Sequence, residues 1–528
     1  MKKTLISLLG IAALTATPSM AERLVILHTN DTHSNIESDV NGVGGVLQRK
    51  AVIDSVRAAE KNVILIDAGD MVQGTLYFKF WRGEVEYPLF NMMDYDILIL
   101  GNHEFDNGLD ELARHYAGIK KADRLSANYD FSGTPLAGMF KPYVIKKVNG
   151  KKIGFIGLNV DPASLIADYN TGAMRFSDVI ETANRLAAEL KHKKKCDLVV
   201  AVTHIGYDDQ YMKASDTDLA RASRDIDIII GGHSHTVVDP AKPEENPSLV
   251  PNADGRPVLI AQTGRYGRYV GYISIDLDHL KGADGSDFDY RLIPVTDRFD
   301  PSVFDKRISA FLEPYKHRVD SVNRRVIAYY SGMDMTPLPN SAYANFAGDF
   351  GLWYGRHVVD SINAAGGNMP KVDFAVMNVG GIRQDMPGGP VTEGQILSTF
   401  PFSNRVVIME ETGADIISAL QAPAPKGGEA VSTNVYVVLD SDSKIKRMYI
   451  DGKEVEPDKT YVMASIDYVA AGNDNMTAFA NGRELWRDDK EMSAAMMRYI
   501  VDFGQRGIPI TANPNGRFVY EMPLPQEQ

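Results

Sequence analysis

Short apolar runs recur through the first half of the chain, at residues 24–27, 63–66, 97–100, 153–158, 198–202 and 226–230, with stretches of helical period between them. Runs of this length without alternation are the pattern of strands buried on both faces, and their interleaving with helices predicts layered α/β structure. Near residue 270 the pattern becomes alternating (Val-Gly-Tyr-Ile-Ser-Ile-Asp-Leu) and continues to 291–295. Phe304, Ile308, Phe311, Leu312, Tyr315, Val319 and Val322 then recur at helical spacing. They predict a connecting helix over 302–324, bent or interrupted by Pro314. Beyond it, apolar runs at 374–377, 405–409, 435–439 and 460–464, separated by Gly-rich turns, predict a second α/β unit of about two hundred residues. The expected division is a leader at 1–21, a first domain at 22–298, a linker helix at 299–327 and a second domain at 328–528.

Five strings follow the apolar runs of the first half: Asp31-Thr-His33, Gly69-Asp70, Gly101-Asn102-His103-Glu104, Thr203-His204 and Gly232-His233-Ser-His235. In open α/β sheets the carboxyl ends of strands are where ligands bind, because the loops there converge over one crevice. Asp31 and His33, two apart, would face one side of an extended strand and chelate one cation. A carboxylate such as Asp70 has two oxygens with which to bridge two metals. Asn102 offers a neutral oxygen. His204, His233 and His235 offer imidazole nitrogens, which suit zinc, manganese or iron better than magnesium or calcium. Five of the eleven histidines lie in these strings, and the other six do not cluster. The set predicts a two-metal site for phosphate-ester hydrolysis. His103 cannot easily share a metal with its neighbour Asn102, which leaves it for the substrate. Asp106, three residues on, can accept from its ring and favour the imidazolium. His28 reads as structural, and Glu104 and Asp67 as carboxylates behind the ligands.

Composition changes the picture at the start of the chain. Lys2 and Lys3, an apolar stretch at 5–13 and then Ser19-Met-Ala21 form a secretory leader, with cleavage expected after Ala21. The stretch is short for a bilayer span, no cysteine stands near the cleavage point, and the acidic 522–528 tail offers no anchor. The expectation is a periplasmic or secreted protein without a membrane anchor. The only cysteine, Cys196, cannot form an internal disulfide. Losing Lys2 and Lys3 with the leader turns 56 basic residues into 54 against 69 acidic ones, a formal charge of −15. That balance disfavours nucleic acid polymers as partners. It does not exclude a small anion, since two divalent cations carry four positive charges against two ligand carboxylates. No obligate protein partner is implied.

His28-Thr-Asn-Asp-Thr-His33, Gly69-Asp70 with Gln73-Gly-Thr75, Gly101-Asn-His-Glu-Phe-Asp106 and Ile230-Gly-Gly-His-Ser-His235 resemble the secreted 5′-nucleotidase and UDP-sugar hydrolase family. The resemblance implies a four-layer α-β-β-α metallophosphoesterase sandwich, a linker helix and a C-terminal α/β nucleotide-recognition domain. It also implies that Asp31, His33, Asp70 and His235 hold one metal, and Asp70, Asn102, His204 and His233 the other. Zinc or manganese is the first expectation for both, with magnesium, cobalt and iron also compatible. Water on those metals, its pKa lowered toward neutrality, would attack phosphorus, while His103 with Asp106 stabilises the phosphoryl charge.

In the second domain, Asn378-Val-Gly-Gly-Ile-Arg383 and Phe400-Pro-Phe-Ser-Asn404 resemble the same family's nucleotide pocket. Phe402 and Tyr468 would sandwich a base, each stack being worth roughly 1 to 3 kcal/mol. The resemblance places Arg383 on phosphate, Asn378 on the base edge and Asp474 on the ribose hydroxyls. The chain departs from the pattern in three places. It has Gly472-Asn-Asp-Asn475 where relatives have Gly-Gly-Asp-Gly, and Tyr468 where they have phenylalanine. At Pro339-Asn340-Ser-Ala-Tyr-Ala344-Asn345-Phe346 it lacks a phosphate-contacting arginine. The expected function is therefore a 5′-nucleotidase acting on a small nucleotide. The alternatives are a UDP-sugar or dinucleotide pyrophosphatase, a 2′,3′-cyclic-nucleotide phosphodiesterase and, from another class, a catalytically vestigial nucleotide-binding or surface-interaction protein. The intact ligand set argues against the last.

Overall fold

The computed structural model describes residues 23–521 apart from 40, 164, 209–213, 278–279 and 281–287. The leader at 1–21 and the tail at 522–528 lie outside the described residues. Two six-stranded mixed sheets build the first half. In one, Arg23–Thr29, Val63–Asp67, Ile97–Leu98 and Asp123–Arg124 run parallel, with Tyr269–Asp276 antiparallel to the first and Phe288–Pro294 on its edge. In the other, Lys151–Asn159, Leu198–His204, Ile228–Ile230 and Pro257–Ala261 run parallel, between the antiparallel edges Tyr143–Val148 and Leu249–Pro251.

Alternation within the first strand explains why its run is apolar throughout. Leu24 and Ile26 join Phe155, Val200 and Ile229 in the core that holds both sheets together. Val25 and Leu27 point the other way, into a core with Val52, Leu112 and Phe90 of the helices outside the first sheet. Each residue changes face, and both faces are buried. On the far side of the second sheet, Ala183, Leu186 and Leu219 cover it from helices Val179–Ala188 and Asp216–Ala222. Helices, two sheets and helices make four layers. The alternation near 270 does not mark a wet face, since Val270 and Tyr272 enter the outer core and Ile273 and Ile275 the inner one.

The connecting helix is shorter than its apolar spacing suggests. Residues 301–303 form a separate turn capped by Asp300, and the helix proper is Lys306–Asn323. Asp305 starts it by accepting from the backbone N–H of Arg307 at 2.8 Å, which satisfies an otherwise orphaned donor. It runs through Pro314 without interruption. Ile308, Leu312, Val319 and Val322 bury against the first domain, and this packing offsets the backbone bond that proline removes. Among the described residues the second half has one core, in which helices Ala342–Ala364 and Met492–Gln505 pack on a five-stranded sheet and Gly413–Gln421 meets a four-stranded one. Phe374–Met377, Arg405–Thr412 and Thr460–Ile466 are the central strands of the larger sheet.

Candidate active site

The strands of each sheet end level with one another. Thr29 pairs with Asp67, Asp67 with Leu98, and Asn159 with His204, so the residues just beyond emerge together. His204 is the last residue of its strand. The other predicted ligands lie past strand ends, and here the extended-strand geometry assumed for Asp31 and His33 does not hold. The strand stops at Thr29, and the backbone enters the left-handed region at Asp31 (φ 48°) and His33 (φ 45°). Asp70 (φ 55°), His233 (φ 81°) and His235 (φ 58°) do the same. Such backbone costs of order 1 to 3 kcal/mol per residue and clusters where function demands an orientation. The glycines beside them are required by close approach. A Cβ on Gly101 would sit 2.1 Å from Asp70 Oδ1, and one on Gly232 would sit 2.7 Å from His204 Nδ1.

Two donor groups result. Asp31, His33 and His235 present ligand atoms within 4.8 Å of one another, and so do Asp70, His204 and His233. Asp70 Oδ2 stands between them, 3.1 Å from His204 Nε2 and 3.9 Å from His33 Nε2. Asn102 Oδ1 lies 2.9 Å from His233 Nδ1. A third group, His33, Asp70 and His103, is equally tight, so His103 stands against the donor cluster. Its Nδ1 is instead engaged by Asp106 Oδ2 at 3.0 Å.

The fit to cations can be read from the ring nitrogens. His204 Nδ1 donates to the Ala68 carbonyl at 2.7 Å, leaving Nε2 turned inward. That Nε2 is buried near Asp70 yet lacks hydrogen-bond alignment with any partner. His33 Nδ1 is directed in the same way at the Val72 carbonyl, and its Nε2 meets His235 Nε2 at 2.9 Å. Backbone carbonyls on one nitrogen and convergent lone pairs on the other are how proteins prepare histidines for metal. Burial holds His33 and His235 well below the ordinary histidine range and takes His233 down to about 3, so these rings keep their lone pairs at neutral pH. Burial also lowers His204, but Asp70 and Asp31 outweigh it and raise that ring to about 10. Oxygen and nitrogen donors without sulfur suit a hard to borderline divalent ion.

Support behind these residues is dense. Asp31 accepts from Asn30 Nδ2 at 2.6 Å and from the backbone N–H of His233 at 3.0 Å. Glu104 accepts from the backbone N–H groups of Asp70, Met71 and Gly101 at 2.6 to 3.0 Å, pinning two of the loops together. His28 is fully buried in the inner layer, stacked near Tyr290, and belongs to none of the donor groups. Asp67 accepts from Thr29 and from the backbone N–H of Gly69.

The second domain faces this cluster across a cavity of about 560 Å³. Asp70, Asn102, His103, Asp106, His233 and His235 line one side, and Asn378, Arg383, Phe402, Tyr468 and Asp474 the other. The Phe402 ring lies 6.0 Å from that of His103, and the Arg383 guanidinium 5.9 Å above Phe402. Asp474 takes hydrogen bonds from Asn378 Nδ2 and from the Tyr468 hydroxyl. Residues 339–346 do not line the cavity. Asn340 donates to the Phe518 carbonyl, and Asn345 to those of Asn513 and Asn515, so the segment that lacks the expected arginine secures the end of the chain instead.

Sequence reasoning missed the residues that close the cavity. Lys79 reaches across from the first domain to Glu491 and to the Phe402 carbonyl, and Gln384 reaches back to the Gly74 carbonyl. Leu165, Ile166 and Tyr169 add an apolar wall from the first domain, and Arg405 and Arg487 join the lining from the second. Nothing marks an isolated lysine or an irregular loop before the domains are docked. Among the described residues no helix is long and apolar enough to cross a membrane.

The calcineurin-like phosphoesterase family profile matches residues 24–237, and the 5′-nucleotidase C-terminal domain profile matches residues 353–481. The chain is 30% identical to a 5′-nucleotidase of Vibrio vulnificus over 94% of each protein. It is 26% identical to the trifunctional nucleotide phosphoesterase YfkN of Bacillus subtilis, spanning 96% of this chain but only 35% of that longer protein. Among solved structures, the 5′-nucleotidase precursor of Thermus thermophilus superposes with a TM-score of 0.80 at 29% identity, covering 95% of this chain and all of the other. With both domains matched in order along nearly its whole length, the chain belongs to the 5′-nucleotidase family and is a metal-dependent phosphoester hydrolase.

Proposed function

We propose that this protein is an exported 5′-nucleotidase that releases phosphate from nucleoside 5′-monophosphates with two divalent cations, its domains dividing near residues 298 and 328. The observation that carries the reading is a cavity with the donor cluster on one wall and the Phe402–Tyr468–Asp474 group on the other. Its volume is that of an ordinary small-ligand site. Asp31, His33, Asp70 and His235 would hold one cation, and Asp70, Asn102, His204 and His233 the second. Cations held there would supply positive charge against the phosphate and Lewis acidity to activate water.

The remaining work falls to the chain's own groups. His103, held by Asp106, donates to a phosphoryl oxygen as charge builds on it. Burial lowers this ring, but Asp106 and Asp70 outweigh burial and raise it, which favours the donating form. Arg383 approaches the same region from the second domain. Phe402 and Tyr468 stack the base, which sets the phosphate at the far end of a rigid nucleoside. Export rests on the leader at 1–21. A pyrophosphatase or cyclic-phosphodiesterase reading draws on Arg405 and Arg487, two further cations in the cavity lining that a second phosphate would meet. Phosphate release from nucleoside 5′- and 3′-monophosphates, UDP-glucose and 2′,3′-cyclic AMP, with and without chelator, separates these readings. Chelator-sensitive release is expected to be fastest from the 5′-monophosphates, and no metal-dependent release from any of them would sink the proposal.

A further inference from the structure

Asp474 is held more firmly than a residue that only faces a ligand needs to be. Its Oδ2 accepts from Asn378 Nδ2 at 3.0 Å and its Oδ1 from the Tyr468 hydroxyl at 3.1 Å. Its backbone is left-handed (φ 55°), as is that of Asn475 (φ 63°), an unfavourable pair for residues with side chains. The loop is tied at its other end by Asn473 Nδ2, which donates to the Tyr468 carbonyl at 2.9 Å. Tyr468 thus meets the loop twice, by carbonyl and by hydroxyl, while its ring lines the cavity opposite the first domain.

An ionised carboxylate accepts about four hydrogen bonds, two on each oxygen. One site on each oxygen is used within the protein, and one on each is left. A vicinal diol offers two adjacent O–H donors and needs two acceptors held in one plane. Free rotation of the carboxyl group would spoil that match, and donors on both oxygens prevent the rotation. Burial pushes the Asp474 carboxyl up, and the hydrogen bonds from Asn378 and Tyr468 work against it, toward the accepting form.

We propose that the Tyr468 hydroxyl is a positioning group that locks Asp474 as an acceptor for a vicinal diol, so that the site selects nucleoside 5′-monophosphates whose 2′- and 3′-hydroxyls are both free. This rests on reading the cavity as a nucleotide site. One side chain then serves two parts of the substrate, its ring stacking on the base and its hydroxyl setting the group that meets the sugar. A 2′,3′-dideoxynucleotide would leave both remaining acceptor sites unpaired in a confined cavity, and a 3′-phosphate would bring like charge onto Asp474.

The test uses the full chain loaded with metal and the variant Tyr468→Phe, which keeps the ring and removes only the hydroxyl. The quantity read is the ratio of kcat/KM for adenosine 5′-monophosphate to that for 2′,3′-dideoxyadenosine 5′-monophosphate. It is expected to fall roughly three- to tenfold in the variant, mainly through KM of the ribonucleotide, as loss of one hydrogen bond predicts. If the hydroxyl only staples the loop, both substrates suffer alike and the ratio stays put, which overturns the proposal. Calorimetric binding of adenosine and 2′,3′-dideoxyadenosine gives a readout independent of turnover, with the parent preferring adenosine and Tyr468→Phe losing most of that preference. Equal binding of the two by the parent also overturns it. A parent that discriminates in binding yet hydrolyses no nucleotide would instead defeat the nucleotidase reading and leave the lock standing. Asn473→Gly, which loosens the same loop without touching the hydroxyl, is expected to lower kcat/KM for both substrates alike and leave the ratio near that of the parent; a fall as large as that of Tyr468→Phe would assign the preference to the loop and overturn the proposal.

Discussion

His103 differs from its neighbouring histidines in what its second nitrogen meets. His33 and His204 point Nδ1 at backbone carbonyls, whereas His103 points it at the Asp106 carboxylate. A carbonyl orients a ring and leaves it neutral, but a carboxylate also favours the imidazolium. The expectation is that His103→Ala lowers kcat by about 10² to 10⁴-fold while bound metal per chain is unchanged. Metal analysis alongside turnover decides it, and lost metal with preserved turnover would reverse the assignment. The pairing was legible in the sequence because a His and an Asp three apart on a tight turn meet wherever the turn goes. The left-handed backbone at Asp31, His33, Asp70, His233 and His235 was not legible, since none of these five is glycine and only Asp70 and His233 have a glycine beside them to hint at it.

Among the elements, strand Arg405–Thr412 buries a carboxyl group that no hydrogen bond satisfies. Glu411 is 1% exposed, and neither carboxylate oxygen has a hydrogen-bond partner. Burial, with Asp415 nearby, raises its pKa to about 8. The folded state therefore keeps a proton that the unfolded chain gives up near 4.5, and stability falls as pH rises from there through about 8. Glu411→Gln removes that dependence. Its melting temperature relative to the parent is expected to climb by roughly a few degrees between pH 5 and pH 8 and then level off. A pH-independent difference would show that the group is already ionised in the fold. Strand positions themselves were readable from apolar runs, because both faces of Arg23–Thr29 and Leu198–His204 are buried. The start of the connecting helix was not, because Asp305 and Asp300 are equally good caps by type.

For the whole molecule, the cavity lies where two domains meet, and Lys79 is one of the ties between them. Its ammonium bridges Glu491 and the Phe402 carbonyl and is largely buried. Lys79→Ala is expected to raise KM for the nucleotide several-fold and to broaden the domain arrangement without substrate, read as a larger radius of gyration in small-angle scattering. Unchanged KM and scattering together would remove Lys79 from any part in closure.

The metal-ligand types, their order and the family pattern were written in the chain, because each is carried by a few contiguous residues following a strand whose apolar run announces it. That residues 339–346 are tied to residues 513–518, and that Lys79 and Gln384 reach across to close the cavity, were decided by tertiary structure. Those are contacts among side chains far apart in sequence, set by sheet register, backbone handedness and domain docking, and no local pattern encodes them.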